Sequence, residues 1–303
     1  MAMAEKIWDM AWAGAQDAAM RAGAWATSHK LRTLAGMVLG LMLIGMASCA
    51  TQSPRADRDW YPYLARDVHV AREGDAVRIA PVTDWRYGAD GPTREIYAEA
   101  AFDIGALQRV WFVLEPQPGS DLAAHTFLLF EFPDDRLLGV TVEARREVGE
   151  PYDAVRGAFN TFELAYLWGS ARDLLTRRAV MLRHDVFIYP VVLTEAQKRD
   201  LLTRIVSASE ALEARPRFYN TLTSNCTNEL AKATNLHWAP PFVLTGLADE
   251  HLFERDLIPG ESFEDAHARS DMAGFVTQWN VLNRGEGEFD RDLLAELRAR
   301  WGG

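Results

Sequence analysis

Apolar and polar residues alternate from Val68 to Val82 around a Glu-Gly-Asp turn at 73–75, which predicts a β-hairpin. Arg109 to Leu114 is a short apolar run closed by Pro116 and predicts a buried strand, followed by a loop from Pro116 to Ser120. His125 to Phe132 and Leu137 to Arg145 flank the turn Pro133-Asp134-Asp135 and predict a second antiparallel hairpin. Thr161 to Trp168 has helical spacing. Val180 to Leu193 predicts a strand pair, or one long strand broken at Arg183-His184-Asp185. Thr194 is placed to cap a long amphipathic helix running to about Ala214, where Pro216 stops it. A further helix is expected from Ser224 or Asn225 to about Leu236, and a short charged one from Asp290 to Trp301. There is no internal repeat. The pattern predicts an α+β domain with a mainly antiparallel sheet packed on helices.

The N-terminal region 1–33 precedes a different kind of segment. Leu34 to Ala50 is uncharged, follows Lys30 and Arg32, and ends in Met46-Ala47-Ser48-Cys49. Such a run is short for a spanning helix but suits the apolar part of a secretory signal, and small residues before a cysteine resemble a lipobox. Residues 34–50 are therefore expected to be a signal with Cys49 as lipidation site, or an uncleaved anchor helix. Residues 1–29 have apolar spacing suited to an interfacial helix, and a start at Met20 would give a conventional signal length. Residues 51–66 are expected to be a tether and 67–303 the exported domain.

Charge narrows the partners. The 303-residue chain has 49% hydrophobic residues, 25% charged residues and a net charge of −11. Residues 1–50 hold four basic and three acidic side chains, leaving 28 basic against 40 acidic, net −12. That balance argues against nucleic acid, which needs a basic footprint. Bulk charge would not attract anionic head groups either, so any lipid contact must come from a specific pocket or an apolar lip. There is no Gly-rich phosphate loop, His-Glu-x-x-His, Gly-x-Ser-x-Gly or Cys-x-x-Cys, and no metal or diffusible cofactor is implied.

If Cys49 is spent on export, Cys226 is the one cysteine of the mature domain. It lies where the polar stretch Tyr219 to Asn225 turns into a predicted helix, and a helix N-terminus favours thiolate. A lone cysteine is otherwise a small buried hydrophobe. A nucleophilic thiol needs a base. His69, His184, His251 and His267 have charged neighbours and read as exposed, and His237 reads as a packing or capping residue. His125 differs, because it opens a core strand. Across the hairpin centred near Asp134-Asp135, positions near 125 face positions near 144. Glu143 thus falls beside His125, where a carboxylate would hold the imidazole tautomer. It would otherwise pair with Arg145 or Arg146 at an exposed strand end.

The strings AHTFLLFEF (124–132), VTVEARREVGEPYDAVRGAF (140–159), FELAYLWGSARDLLTRR (162–178) and RPRFYNTLTSNCTNEL (215–230) resemble the Lnb N-terminal periplasmic domain family over roughly Trp60 to Leu257. That family is similar to permuted papain-like proteins, including the lecithin:retinol acyltransferase type, in which the histidine strand precedes the cysteine helix. Lnb is associated with bacterial lipoprotein N-acylation. The resemblance implies a permuted papain-like fold with Cys226 as nucleophile, His125 as base and Glu143 as orienter. Arg145, Arg146, Tyr219 and Asn225 are candidates for head-group or site-framing contacts. Longer Lnb proteins carry a hydrophobic multi-span region after this domain, and here an N-terminal lipid or anchor would hold the domain at the membrane.

The expectation is a membrane-tethered thiol acyltransferase of a Gram-negative-type periplasm. Its acyl donor would be a phospholipid, and its acceptor the N-terminal amine of a lipoprotein. The same residues with water as acceptor would make a cysteine peptidase, amidase or lipase. A lipoprotein that only binds a partner is the non-catalytic alternative.

Overall fold

The computed structural model describes residues 52–234, 236–283 and 287–302, with Thr33, Gly36, Met37 and Gly40. Apart from those four positions, the N-terminal region 1–33 and the run 34–50, Cys49 included, lie outside the described residues. Among the described residues no helix is long and apolar enough to cross a membrane. The chain divides into two compact units, Met1–Gln52 and Ser53–Gly303, and the second holds the sheet.

The first hairpin forms as expected, with β1 (His69–Glu73) antiparallel to β2 (Ala76–Thr83). A small ribbon, β3 (Arg86–Gly88) and β4 (Gly91–Arg94), leads to β5 (Tyr97–Asp103), which pairs with β2. Then come β6 (Arg109–Pro116), β7 (Ala124–Phe132), β8 (Arg136–Arg145), β9 (Glu163–Ser170) and β10 (Phe187–Pro190). The main sheet runs β1-β2-β9-β8-β7-β6-β10, and every pairing except the single parallel bridge Thr83 to Gly169 is antiparallel. Asp134 and Asp135 both have positive φ (63° and 53°), the turn conformation that matches strand twist and fixes the β7–β8 register.

Eight α-helices accompany the sheet in the described residues. They are α1 (Ala154–Gly157), α2 (Ala171–Thr176), α3 (Glu195–Ala214), α4 (Cys226–Ala233), α5 (Ala248–Phe253), α6 (Phe263–Ser270), α7 (Ala273–Leu282) and α8 (Phe289–Trp301). Thr194 caps α3 in a full capping box with Gln197. The strand period of two sends Val110, Phe112 and Leu114 to one face, where Leu202 and Val206 of α3 and Leu230 of α4 cover them. Trp111 and Val113 point the other way, against Leu174 and Leu175 of α2, Val276 of α7 and Leu293 of α8. Both faces are buried, which is why the central strands read as continuous apolar runs.

Three segments differ from the sequence reading. The expected helical spacing over Thr161 to Trp168 falls mostly in strand β9 (Glu163–Ser170). Phe162, Leu164, Tyr166 and Trp168 do alternate into one core, but Leu167 fills the opposite one and hides the strand period. The start of the expected 180–193 strand pair is helical: α2 continues as a π-helical turn, Arg177–Leu182, ended by Arg183 in the left-handed conformation. The expected tether is built into the domain. The Arg55 N–H donates to Glu163 Oε1 (2.9 Å), and Trp60 and Leu64 are buried.

Candidate active site

The antiparallel order brings the end of β6, the start of β7, the end of β8 and the start of β9 to one end of the sheet, and α4 begins there. The Thr126 and Thr227 hydroxyls, 2.8 Å apart, fasten the start of β7 to the first turn of α4. Asn225 caps that helix. Its Oδ1 accepts the Asn228 N–H (2.7 Å), while its Nδ2 donates to the carbonyls of Thr221 and Phe242 (both 2.8 Å). Glu229 anchors the same helix, accepting from Ser224 Oγ (2.5 Å), Lys232 Nζ (2.7 Å), Arg217 Nη2 (2.9 Å) and the Tyr166 hydroxyl (3.1 Å). Cys226 is therefore the buried first residue of a firmly held helix, with a free thiol.

His125 faces that thiol. Its Nε2 is 2.6 Å from Thr141 Oγ1 and 3.3 Å from Glu143 Oε1, and the Thr141 hydroxyl donates to that same Glu143 oxygen (3.1 Å). With Nε2 engaged on β8, Nδ1 is the ring nitrogen left for Cys226. The β7–β8 register, Phe127 opposite Thr141, carries His125 opposite Glu143. Thr141 and Glu143, two residues apart, share a face of β8.

The three groups shift one another. Burial pushes the His125 imidazole down, but the Glu143 carboxylate and the Cys226 thiolate outweigh it and raise it to about 10. Burial pushes Glu143 up, yet the charge and hydrogen bond of His125, then Arg178 and Arg177, hold it well below the usual carboxylate range. Burial likewise pushes the Cys226 thiol up. His125, by charge and hydrogen bonding, with help from Thr126, brings it below its ordinary value. Both shifts favour the charged forms, a thiolate beside an imidazolium.

A second layer was not legible as part of the site. Glu115 lies opposite His125 across β6–β7 and is buried. Arg178, from the π-helical turn, places Nε 2.7 Å from Glu115 Oε2 and Nη2 3.4 Å from Glu143 Oε1. The His184 Nδ1 is 2.5 Å from Glu115 Oε1. All of these groups line one cavity of about 340 Å³, along with Tyr63, Arg146, Arg177, Tyr219 and Cys226.

His184, expected at the surface, is thus part of the cavity wall, because Glu115 draws it in. His251 packs edge-on to Phe242 (5.5 Å), and His267 stacks on Phe187 (4.2 Å), so neither is a free surface histidine. His69 is exposed as expected, and His237 is exposed rather than packed. Of the framing candidates, Arg146, Tyr219 and Asn225 line the cavity. Arg145 does not. It donates to the carbonyls of Leu64 (2.8 Å) and Ala65 (3.0 Å) and to Asp67 (2.5 Å), and stacks 4.7 Å over Trp60, clamping the N-terminal segment.

The family model of the Lnb N-terminal periplasmic domain matches residues 94–252. The chain belongs to that family. The Lnb match runs from the end of β4 into α5 and takes in His125, Thr141, Glu143, Arg178 and Cys226. As an Lnb N-terminal domain, this folded unit is periplasmic. No curated protein and no solved structure matches the chain.

Proposed function

We propose that this Lnb-type domain is a thiol acyltransferase that moves a fatty acyl group from phospholipid, through a thioester on Cys226, to an amine. The N-terminal amine of a lipoprotein is the acceptor that the family resemblance favours. The observation that carries the chemistry is the convergence of Cys226, His125 and Glu143 on one cavity, with Thr141 buried between the imidazole and the carboxylate. The order of histidine strand before cysteine helix agrees with a permuted papain-like arrangement.

In the first half-reaction, the Cys226 thiolate attacks the ester carbonyl and the C–O bond breaks. The His125 imidazolium gives its proton to the departing lysophospholipid oxygen. In the second, the amine attacks the thioester, neutral His125 takes its proton, and the C–S bond breaks to return the thiolate. In this reading the oxyanion is received by the N–H groups of Cys226 and Thr227, at a helix start where they have no helical acceptor.

A lipid substrate is supported by what surrounds the mouth. Leu122, Tyr152, Val155, Leu182, Leu222 and Leu244 are 36–71% exposed, and each lines the cavity or neighbours a residue that does. They come from five separate segments, yet all gather at one end of the sheet, whereas the β7–β8 turn at the opposite end carries Asp134 and Asp135. An apolar rim suits an acidic domain that an N-terminal lipid or anchor tethers to a bilayer. The charged wall of Glu115, Arg178 and His184 keeps hydrolysis of an amide or ester by the same thiol as the second reading.

The deciding test is intact-protein mass after incubation with phospholipid vesicles, with Cys226→Ser alongside. A fatty-acyl increment on Cys226 only, removed by neutral hydroxylamine, is expected. A reactive thiol that takes no acyl group would favour the hydrolase, and an unreactive one the binding protein.

A further inference from the structure

The cavity holds more positive charge than its own carboxylates consume. Glu115 and Glu143 are engaged by Arg178, His184 and His125. Arg146 and Arg177 also line the cavity and are only partly exposed. Among the described residues neither has a carboxylate within 4.0 Å; Glu143 and Glu115 act on Arg177 only at longer range. Both are instead positioned by one aromatic residue. The Arg146 Nη2 donates to the Tyr63 hydroxyl (2.9 Å), and the Arg177 guanidinium lies 4.0 Å over the Tyr63 ring. Arg146 also lies 5.2 Å over Tyr61. Two partly buried guanidinium groups held by one tyrosine form a local positive site in a chain of net charge −11.

We propose that Arg146 and Arg177 form an anion subsite that takes the phosphodiester of the acyl donor, so that Cys226 acts on phosphoglycerides rather than on uncharged acylglycerols. This rests on the acyl-transfer reading above and assigns the residues that select its phospholipid donor. The guanidinium fork matches phosphate oxygens in a bidentate way, and a partly desolvated guanidinium gains most from an anion that replaces its lost water. In a phosphoglyceride the ester carbonyl is only a few bonds from the phosphorus, so a phosphate on these arginines leaves the ester inside the same cavity as the thiolate. About 340 Å³ holds the glycerol-phosphate and ester region but not two long chains. The acyl tails therefore leave across the apolar rim. Phosphate binding and tail exit then orient the scissile ester from two sides.

Binding is read without turnover in the full chain carrying Cys226→Ala, in non-ionic detergent, titrated with dihexanoyl-phosphatidylglycerol, dihexanoylglycerol and inorganic phosphate. Arg146→Gln and Arg177→Gln are each expected to weaken the phospholipid by about tenfold or more and to leave dihexanoylglycerol unchanged. Arg146→Lys and Arg177→Lys, which keep the charge but not the fork, should lose less, and they stand in should a Gln variant not fold. Equal affinity for the two lipids, or insensitivity to both arginines, would overturn the subsite. Inorganic phosphate binding as tightly as the phospholipid would reassign it to a free anion. An acyl-enzyme that forms on the Cys226 protein at the same rate without either arginine removes the subsite and leaves acyl transfer standing. Arginine-dependent lipid binding with no acyl-enzyme does the reverse.

Discussion

The Nε2 of His125 lies 2.6 Å from the hydroxyl of Thr141, nearer than its 3.3 Å to Glu143. The imidazole N–H donates to the hydroxyl, whose own hydrogen goes on to the carboxylate at 3.1 Å. Thr141 is therefore the immediate partner of the His125 imidazole, which the proposed mechanism uses as base, and Glu143 is the charge behind it. Thr141→Val removes the relay while keeping the side-chain shape. The ring can still reach Glu143, so the expected loss is one hydrogen bond, a fall in acyl-enzyme formation of about five- to tenfold. A Thr141→Val rate equal to wild type would return the orienting role to Glu143 alone.

Glu143→Gln should act on the pH profile. The carboxylate is what most raises His125, to about 10, and the imidazolium in turn lowers Cys226. In wild type the thiolate–imidazolium pair exists above the lowered thiol pKa and below the raised imidazole pKa. Without the carboxylate charge the imidazole pKa falls and the thiol pKa rises. The active window should narrow from both sides. The onset of Cys226 alkylation by iodoacetamide, followed against pH, should move to higher pH, and an unmoved onset would contradict the pairing.

How much of this was legible depended on whether the signal was local. The His125–Glu143 pairing could be read because the Asp134-Asp135 turn fixes the β7–β8 register and hence every residue opposite another. Thr141 was hidden in Val140-Thr141-Val142, where threonine reads simply as a strand former. Glu115, Arg178 and His184 come from three segments that sequence does not connect. The signal present was a glutamate ending the apolar run of β6, and an arginine pair ahead of Ala179 and Val180. The β9 segment carries helical spacing because its two faces are both buried, which erases the strand period.

The Arg178–Glu115 pair is buried, and it supports the site through Glu143 as well. Burial pushes the Glu115 carboxyl up, but Arg178 and the His184 hydrogen bond hold it below its ordinary value. A lowered folded pKa contributes stability that is present above the ordinary carboxylate value and is lost as pH falls through the lowered one. Arg178→Leu leaves a buried carboxylate without its main cation, which should cost about 3–5 kcal/mol at neutral pH. Glu115 is then raised instead, so protonation relieves it and the deficit should shrink towards pH 4. Denaturant unfolding at the two pH values checks the sign, and a deficit that grows in acid would refute it.

Gly246 lets two backbones meet beside the start of β7, which carries His125. A Cβ there would lie 2.3 Å from the Asp121 carbonyl oxygen, and the Gly246 N–H donates to Leu122. The preceding Thr245 hydroxyl both accepts from the Ala124 N–H (2.8 Å) and donates to the Ala124 carbonyl (2.6 Å), pinning the residue before His125. Gly246→Ala has no flexible side chain to push aside, so the 117–123 loop must shift and carry the start of β7 with it. An overpacking cost of about 1–3 kcal/mol is expected, with a larger loss of Cys226 reactivity than its melting temperature alone would explain. Reactivity that simply tracks stability would show that this contact does not position His125.

The apolar rim predicts a separation between thiol chemistry and lipid delivery. Leu122 and Leu222, each 51% exposed, lie on different loops at the mouth, and neither side chain is part of the His125–Thr141–Glu143 relay. Burying each of them partly in a bilayer contributes about 1 kcal/mol, a fraction of the value for full burial of a leucine. Leu122→Ser with Leu222→Ser should therefore slow acyl-enzyme formation from vesicles by about tenfold or more. Alkylation of Cys226 by iodoacetamide, which needs no membrane, should keep its wild-type rate. Because the contact is apolar on an acidic domain, the effect should be the same on zwitterionic vesicles at low and high salt. A defect that appears only on anionic vesicles, or that salt removes, would make the contact electrostatic and the rim incidental.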